Sequence, residues 1–353
     1  MKEKIIEILN NTSSGEPISG VEMSNQLGIS RVAIWKHLKQ LKECGYSILS
    51  TPKGYKLKAD RDLMMPFFFT KRKEKIHFFQ TISSTMDKAR ELAICGVPGF
   101  SVVVAEEQTK GRGRLNRTWN SGKGGLWFTL ILRPKLPPPF AFQVNFAASL
   151  SLARTLRQKY ELDVSVKWPN DILIKEENKN HAGLNHAGLK NSKIVDSINC
   201  DHDNRSCLNG QKKLAGLLSE METQGDMISF VNIGIGLNVN NNPQIDEPNS
   251  VSIKNILGQS ICRRELLSAF LDDFENQLIA IESSENSFVR ILDEWKQMTS
   301  TIGRDVRIET FGDIYRGKAI DVDRTGALII RQEDGHEKNI IYGDCFYDQK
   351  GLK

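Results

Sequence analysis

What the chain lacks narrows its possible roles before any motif is read. No uninterrupted apolar stretch in the 353 residues approaches the length of a membrane span, so a membrane partner is not expected. The opening Met-Lys-Glu-Lys-Ile-Ile-Glu carries charges inside its apolar pattern, which argues against a secretory signal peptide. Cysteine is scarce. The six residues, at 44, 95, 200, 207, 262 and 345, have no disulfide-framework spacing, and reduced thiols in a cytoplasmic protein are expected. Histidine is equally scarce, and the nearest approach to a metal motif, Cys200-Asp-His202 with Cys207, matches no zinc template. Strong charge of either sign is missing too: a net +5 permits nucleic acid without demanding it. With 39% hydrophobic and 26% charged residues the composition is that of an ordinary globular protein, and the length predicts two or three domains.

The basic charge is not evenly spread. Residues 31–58 hold seven basic side chains (Arg31, Lys36, Lys39, Lys42, Lys53, Lys56, Lys58) against Glu43 alone, a net of +6 that exceeds the whole-chain value. Ile5, Ile6, Ile8 and Leu9 mark a first helix. Ser19-Gly-Val-Glu22 is a capping box opening a second, which carries Met23 and Leu27 inward and stops at Gly28. Ser30 caps a third, with Ile34, Leu38 and Leu41 at helical spacing and an end near Gly45. Two helices joined by a turn, followed by a hairpin across Thr51-Pro-Lys-Gly54, make a winged helix-turn-helix. In that arrangement Arg31, Val32, Trp35 and Lys36 would face bases, and Lys39, Lys42 and Lys53 would meet phosphates. A solvated helical face, or a winged helix used for protein contacts, is the plainer alternative.

Residues 111–119, Gly-Arg-Gly-Arg-Leu-Asn-Arg-Thr-Trp, are the most informative in the chain. Gly111 and Gly113 let the backbone come close to a ligand. The forks of Arg112, Arg114 and Arg117 suit a bidentate anion such as phosphate or carboxylate. Trp119 offers a flat apolar surface to cover a ring or close a lid. Gly/Arg tracts that bind single-stranded RNA recur along a chain; this one occurs once, between the strand-like runs 100–105 and 125–132. Further on, Pro169 in Lys167-Trp-Pro-Asn-Asp171 is expected to end strand pairing and put Asn170 and Asp171 in a turn. Lys213 precedes Leu-Ala-Gly216-Leu-Leu218, a charge entering a core-bound strand that needs a partner or a phosphate. Ser84 and Thr85 precede the helix former Met86–Ala93, and Asp60-Arg-Asp62, Pro66 and Lys71-Arg-Lys73 read as a linker.

These motifs resemble one family. The 111–119 loop is similar to the adenylate-binding loop of biotin–protein ligases. Lys167–Asp171 resembles their second signature, Lys213–Leu218 their third and Ile233-Gly-Ile-Gly-Leu-Asn238-Val239 their fourth, all in the family's order. The flanking regions are similar to the bifunctional members, at once ligase and biotin-operon repressor. The resemblance implies a multidomain α/β chain: a winged helix-turn-helix DNA-binding domain at 1–62, a central α+β biotin/lipoate ligase catalytic domain at 66–300 and an SH3-like C-terminal β-barrel at 301–353. A polar insertion at 175–211 carries the tandem repeat Asn-His-Ala-Gly-Leu.

The implied activity is that of a biotin–[acetyl-CoA-carboxylase] ligase. Biotin and ATP, accompanied by Mg²⁺, give biotinyl-5′-AMP, and biotin passes to a lysine of a biotin carboxyl carrier domain. Lys213, Arg112, Arg114 and Asp171 would carry the chemistry. Ser84, Thr85, Gln108, Gly111, Gly113, Arg117, Trp119, Lys167, Asn170, Gly216 and Asn238 would help hold biotin and its adenylate. Met86 stands where many relatives carry Asn. No protein metal motif is expected, and the implied partners are the carrier domain, operator DNA and a second copy in a ligand-linked homodimer. Two rivals are a lipoate or octanoate ligase, which shares the fold but lacks the Arg-x-Trp loop ending, and a DNA-binding biotin sensor without transferase activity, against which the retention of Lys213, Arg112 and Arg114 argues.

Overall fold

Apolar residues at helical spacing build the first elements of the structure, a computed structural model that describes residues 1–11, 16–43, 46–58, 62, 64–175 and 210–348. Helices α1 (Lys2–Asn11), α2 (Gly20–Leu27) and α3 (Arg31–Glu43) precede the hairpin β1 (Ile48–Thr51) and β2 (Gly54–Leu57). Then follow β3 (Ile76–Ile82), α4 (Thr85–Ile94), β4 (Ser101–Gln108), β5 (Leu126–Leu132), α5 (Phe142–Tyr160), β6 (Val164–Lys167), β7 (Asp171–Lys175), β8 (Gln211–Gln224) and β9 (Met227–Leu237). Three helices come next, α6 (Ile253–Leu257), α7 (Arg263–Ser283) and α8 (Glu285–Met298). Strands β10 (Asp305–Glu309), β11 (Ile314–Val322), β12 (Leu328–Arg331), β13 (Glu337–Ile340) and β14 (Asp344–Tyr347) close the chain. Of the insertion expected at 175–211, residues 176–209 lie outside the described residues, and so does the expected end of α3 at Gly45. No helix among the described residues is long and apolar enough to cross a membrane.

The chain forms two compact units. The first comprises Met1–Ala141, Leu217–Asn242 and Ser252–Asn276. Its winged helix is held by Ile5, Ile6, Met23, Ile34, Leu38 and Leu41, all buried. Ser19 accepts a hydrogen bond from the Glu22 N–H at 3.1 Å, Gly28 closes α2 in the left-handed conformation at φ 66°, and the Ser30 hydroxyl accepts from the Ala33 N–H at 3.2 Å. Ile18 pairs with Tyr55 beside the wing, so close that a Cβ on Gly54 would stand 2.2 Å from the Ile18 carbonyl oxygen. The rest of this unit is a sheet in which β3 runs parallel to β4, and β4 antiparallel to β5, which pairs antiparallel with β9. Helix α4 lies on one face, with Ala89 and Ala93 against Val103, Ile131 and Phe230.

The second unit comprises Phe142–Gly216, Pro243–Val251 and Gln277–Lys353. Here β6, β7 and the first half of β8 form an antiparallel ladder. Trp295 of α8 is fully buried against Phe146 of α5, with ring centroids 4.8 Å apart, and its indole N–H donates to Ser149 Oγ at 3.1 Å. The terminal strands form an antiparallel SH3-like sheet, order β13-β12-β11-β10-β14, with a bulge between Ala319 and Asp321.

The stretch that reads as a linker is firmly attached. Arg72 is buried and ion-paired with Asp272, at 2.8 Å, and with Glu275. Phe67 and Phe68 pack on the winged-helix core. Asp62 accepts from the Arg263 backbone N–H at 2.6 Å and from its Nε at 2.7 Å. The same guanidinium donates from Nη2 to Glu106 at 3.0 Å and from Nη1 to the Gly125 carbonyl at 2.8 Å. Removing one partner of a buried ionic group leaves the others uncompensated, at about 3–5 kcal/mol. Arg263→Met should therefore lower unfolding free energy by about that amount in denaturant titrations; a loss below about 1 kcal/mol, the worth of a surface pair, would contradict this account.

Candidate functional site

In the first unit the site begins where β3 hands over to α4. Ser84 is the N-cap of α4 by its extended backbone, φ −154° and ψ 133°, but its hydroxyl makes no capping bond; it is buried and unpaired among the described residues. Thr85 takes over the polar role. Its N–H donates to Gln108 Oε1 at 2.7 Å, its hydroxyl to the same oxygen at 3.0 Å, and it accepts from Thr129 at 2.9 Å. Gln108 in turn donates from Nε2 to Ser121 Oγ at 2.8 Å, and Ser121 donates to the Trp119 carbonyl at 3.0 Å. This chain of bonds joins α4, the end of β4, β5 and the far end of the arginine loop. Ser121 and Thr129 were not singled out in the sequence; a polar residue in an otherwise apolar strand was the one signal for Thr129.

Gly111 earns its place by close approach, since a Cβ there would lie 2.3 Å from the Trp119 carbonyl oxygen. Trp119 itself lies across β9: a Cβ on Gly236 would come within 2.4 Å of its Nε1. Arg112 extends to two carboxylates, Asp87 of α4 at 2.7 Å and Glu220 of β8 at 3.3 Å, pairs the sequence did not announce. Asn238, buried beyond β9, accepts from Asn241 at 2.9 Å. Met86 is buried with its sulfur over Gly234, where a Cβ would stand 2.6 Å away.

In the second unit Asp171 does not lie in the turn, as Pro169 led us to expect. The turn is Trp168-Pro169-Asn170, and Asp171 opens β7, paired with Lys167 on one side and Gly216 on the other. Between Ile172 and Leu173 the ladder with β8 shifts by one residue, a bulge of the kind that re-aims side chains. Beside it the Lys213 ammonium meets the Asp171 carboxylate at 2.8 Å, the partner that its entry into a core strand required. The Lys213 backbone is held as well, its N–H donating to Asn249 O at 2.8 Å and its carbonyl accepting from Val251 at 3.0 Å. Asn170 is buried, and Trp168 is anchored through its backbone N–H to Thr301 Oγ1 at 2.9 Å and its indole N–H to Gly326 O at 3.1 Å. Lys167 points inward, 5.1 Å from the centroid of the Tyr347 ring. Burial pushes the Cys345 thiol beside it up to about 12.

On the winged helix, Arg31, Val32, Trp35, Lys36 and Lys39 lie exposed along α3, and Lys53 is exposed at the hairpin tip. Trp35 does not pack inward: it is 53% exposed, with the Lys39 ammonium 5.7 Å from its ring. Lys42 bonds Ser50 of the wing at 3.0 Å and so sits at the foot of that face. An apolar ring among cations on a major-groove-sized helix suits contact with base edges and phosphates together.

Comparison with known proteins accounts for this combination. The model of the biotin/lipoate A/B protein ligase family matches residues 78–240, a helix-turn-helix domain model matches 2–56 and the biotin protein ligase C-terminal domain model matches 301–347. Residues 78–240 belong to the biotin/lipoate A/B protein ligase family. It is 29% identical to the bifunctional ligase/repressor BirA of Bacillus subtilis over 96% of each chain. Against the protein of the same description from Escherichia coli the identity is 26%, over 94% of this chain and 92% of the other. Among solved structures, the biotin protein ligase of Aquifex aeolicus in complex with biotin and ATP is 25% identical with a TM-score of 0.58, covering 78% of this chain and 99% of that one.

Lys167 provides a pH test of the second unit. Burial lowers the pKa of its ammonium below the ordinary 10.5, against the pull of Asp171. The folded chain therefore holds this proton more weakly than the unfolded one, and stability rises with pH between the folded pKa and 10.5. Lys167→Met removes that rise. The melting temperature of the variant minus that of the wild type should fall as pH climbs towards 10.5, and a difference that stays level would contradict the assignment.

Proposed function

We propose that the chain is an ATP-dependent biotin–protein ligase that also represses transcription in response to biotin. The observation that carries the ligase reading is the Lys213–Asp171 pair at 2.8 Å, in a family whose neighbour from Aquifex aeolicus was solved with biotin and ATP. A carboxylate does not acylate an amine near neutral pH, because hydroxide is a poor leaving group. Attack of the biotin carboxylate oxygen on the α-phosphorus of ATP forms a P–O bond, expels pyrophosphate and gives a mixed anhydride. Lys213 places fixed positive charge at the oxygens that crowd that transition state, and Asp171 orients its ammonium. Arg112, Arg114 and Arg117 hold the adenylate phosphate, with Gly111 and Gly113 giving the backbone room. Trp119, Ser84, Thr85 and Gln108 enclose biotin. Lys167, Asn170, Gly216 and Asn238 are assigned to adenylate binding through the family motifs that they stand in.

In the second half-reaction the neutral amine of a carrier-domain lysine attacks the acyl carbon, AMP leaves, and Asp171 accepts the amine proton. Mg²⁺ would accompany the phosphates of ATP and offset their charge. The basic face of α3 and the wing, Arg31, Val32, Trp35, Lys36, Lys39, Lys42 and Lys53, binds operator DNA. A ligand-linked homodimer presents two such faces to two half-sites. ATP and the carrier place the reaction in the cytoplasm.

Biotin-dependent exchange of labelled pyrophosphate into ATP, run beside lipoate and octanoate, tests the adenylating step and its substrate together. Exchange with biotin alone is expected, and Lys213→Ala should lower it about 10²-fold or more; exchange driven by lipoate or octanoate instead would assign the chain to the other branch of the family. Arg112 tests the loop. Its guanidinium spans Asp87 and Glu220, so Arg112→Gly should release adenylate and biotinylate bystander proteins, and full retention of adenylate by the variant would refute a closing loop.

A further inference from the structure

Asn232 lies in β9 opposite Ile131 of β5 and is completely buried. Neither its Oδ1 nor its Nδ2 has a hydrogen-bond partner among the described residues. A buried amide with both halves unmet is rare in native proteins and calls for an explanation. Side chains alternate along a strand, so Asn232 shares its face of β9 with Phe230, Gly234 and Gly236. Towards Phe230 the surroundings are apolar, with Ile131, Ala89 and Ala93. Towards Gly234 and Gly236 the same face is the floor of the candidate site, covered by Met86 and Trp119. Thr129, opposite Gly234 on β5, bonds Thr85 there. The hydroxyl of Ser84, two residues before Met86, is likewise buried without a partner among the described residues.

Two groups unmet among the described residues thus flank Met86 along the chain and the sheet. One is the Ser84 hydroxyl, at the N-cap of the helix that carries Met86. The other is the Asn232 amide, two positions along the same strand face from the Gly234 that Met86 covers. Met86 is unbranched with three rotatable bonds, the side chain best able to move aside for a ligand. We propose that Asn232 determines specificity at this site, its amide reading the uncharged cyclic urea of biotin once Met86 yields. The inference rests on the biotin-ligase reading above. A cyclic urea offers two N–H donors and a carbonyl acceptor, the complement of a carboxamide. Lipoate and octanoate offer neither, and would leave Asn232 buried and unmatched, which is how a polar site rejects an apolar competitor.

Calorimetric titration of the full chain with biotin, lipoate and ATP, on wild type and on Asn232→Leu, decides the matter. Leucine keeps the branched side-chain skeleton and removes the unmet groups, so the melting temperature should hold or rise. Biotin affinity should drop about 10- to 100-fold, and the preference for biotin over lipoate should shrink with it. ATP affinity should stay unchanged. If the leucine variant fails to fold, Asn232→Val, β-branched and suited to a strand, replaces it with the same expectation. Wild type that binds biotin, with variants that bind it equally well and keep the same preference over lipoate, would overturn the role of Asn232 alone. Wild type that does not bind biotin would overturn this inference and the ligase reading together.

Discussion

The buried guanidinium of Arg263 is the constraint on which the first unit turns. It reaches Asp62 at the end of the winged helix, Glu106 near the end of β4 and the Gly125 carbonyl just before β5. Asn240, beyond β9, bonds both Asp62 and the Ile261 carbonyl. These segments bound the arginine loop on both sides and attach the DNA-binding elements to the same point. A lysine could not do this, since its ammonium is a point charge without the planar fork that meets two carboxylates and a carbonyl at once.

From that fixed base the groups of the candidate site are set by shared oxygens and missing side chains. The single oxygen of Gln108 takes two bonds from Thr85, and its amide nitrogen holds Ser121, so one glutamine aligns the first turn of α4 with the far end of the loop. Gly111 and Gly236 are empty where Trp119 must pass. Such bonds hold donors and charges at fixed stations, and in the proposed ligase chemistry that preorganisation would supply most of the rate enhancement. The second unit does the same for Lys213, gripping its backbone through Asn249 and Val251 and its ammonium through Asp171.

Much of this was readable from the chain, for reasons of residue chemistry. Helical spacing of Ile34, Leu38 and Leu41, a glycine at the left-handed end of α2 and a serine before α3 are local demands that local sequence must meet. The arginine loop was legible because few functions need three guanidiniums and two glycines in nine residues. Long-range pairings were not. The basic run Lys71-Arg-Lys73 reads as a linker until Arg72 finds Asp272, 200 positions later. Asp171 reads as a turn residue until the bulge in β8 brings Lys213 to it.

The sequence by itself determined the elements, the family and the inventory of reactive side chains, because periodicity, capping and motif chemistry act over a few residues. Only the tertiary structure decided who pairs with whom: Arg112 with Asp87 and Glu220, Lys213 with Asp171, Arg263 with Asp62 and Glu106, and Asn232 with no described partner. Those pairings depend on how strands are ordered and registered. Partners distant along the chain leave no trace in any local window of it, whereas burial makes the choice among them energetically decisive.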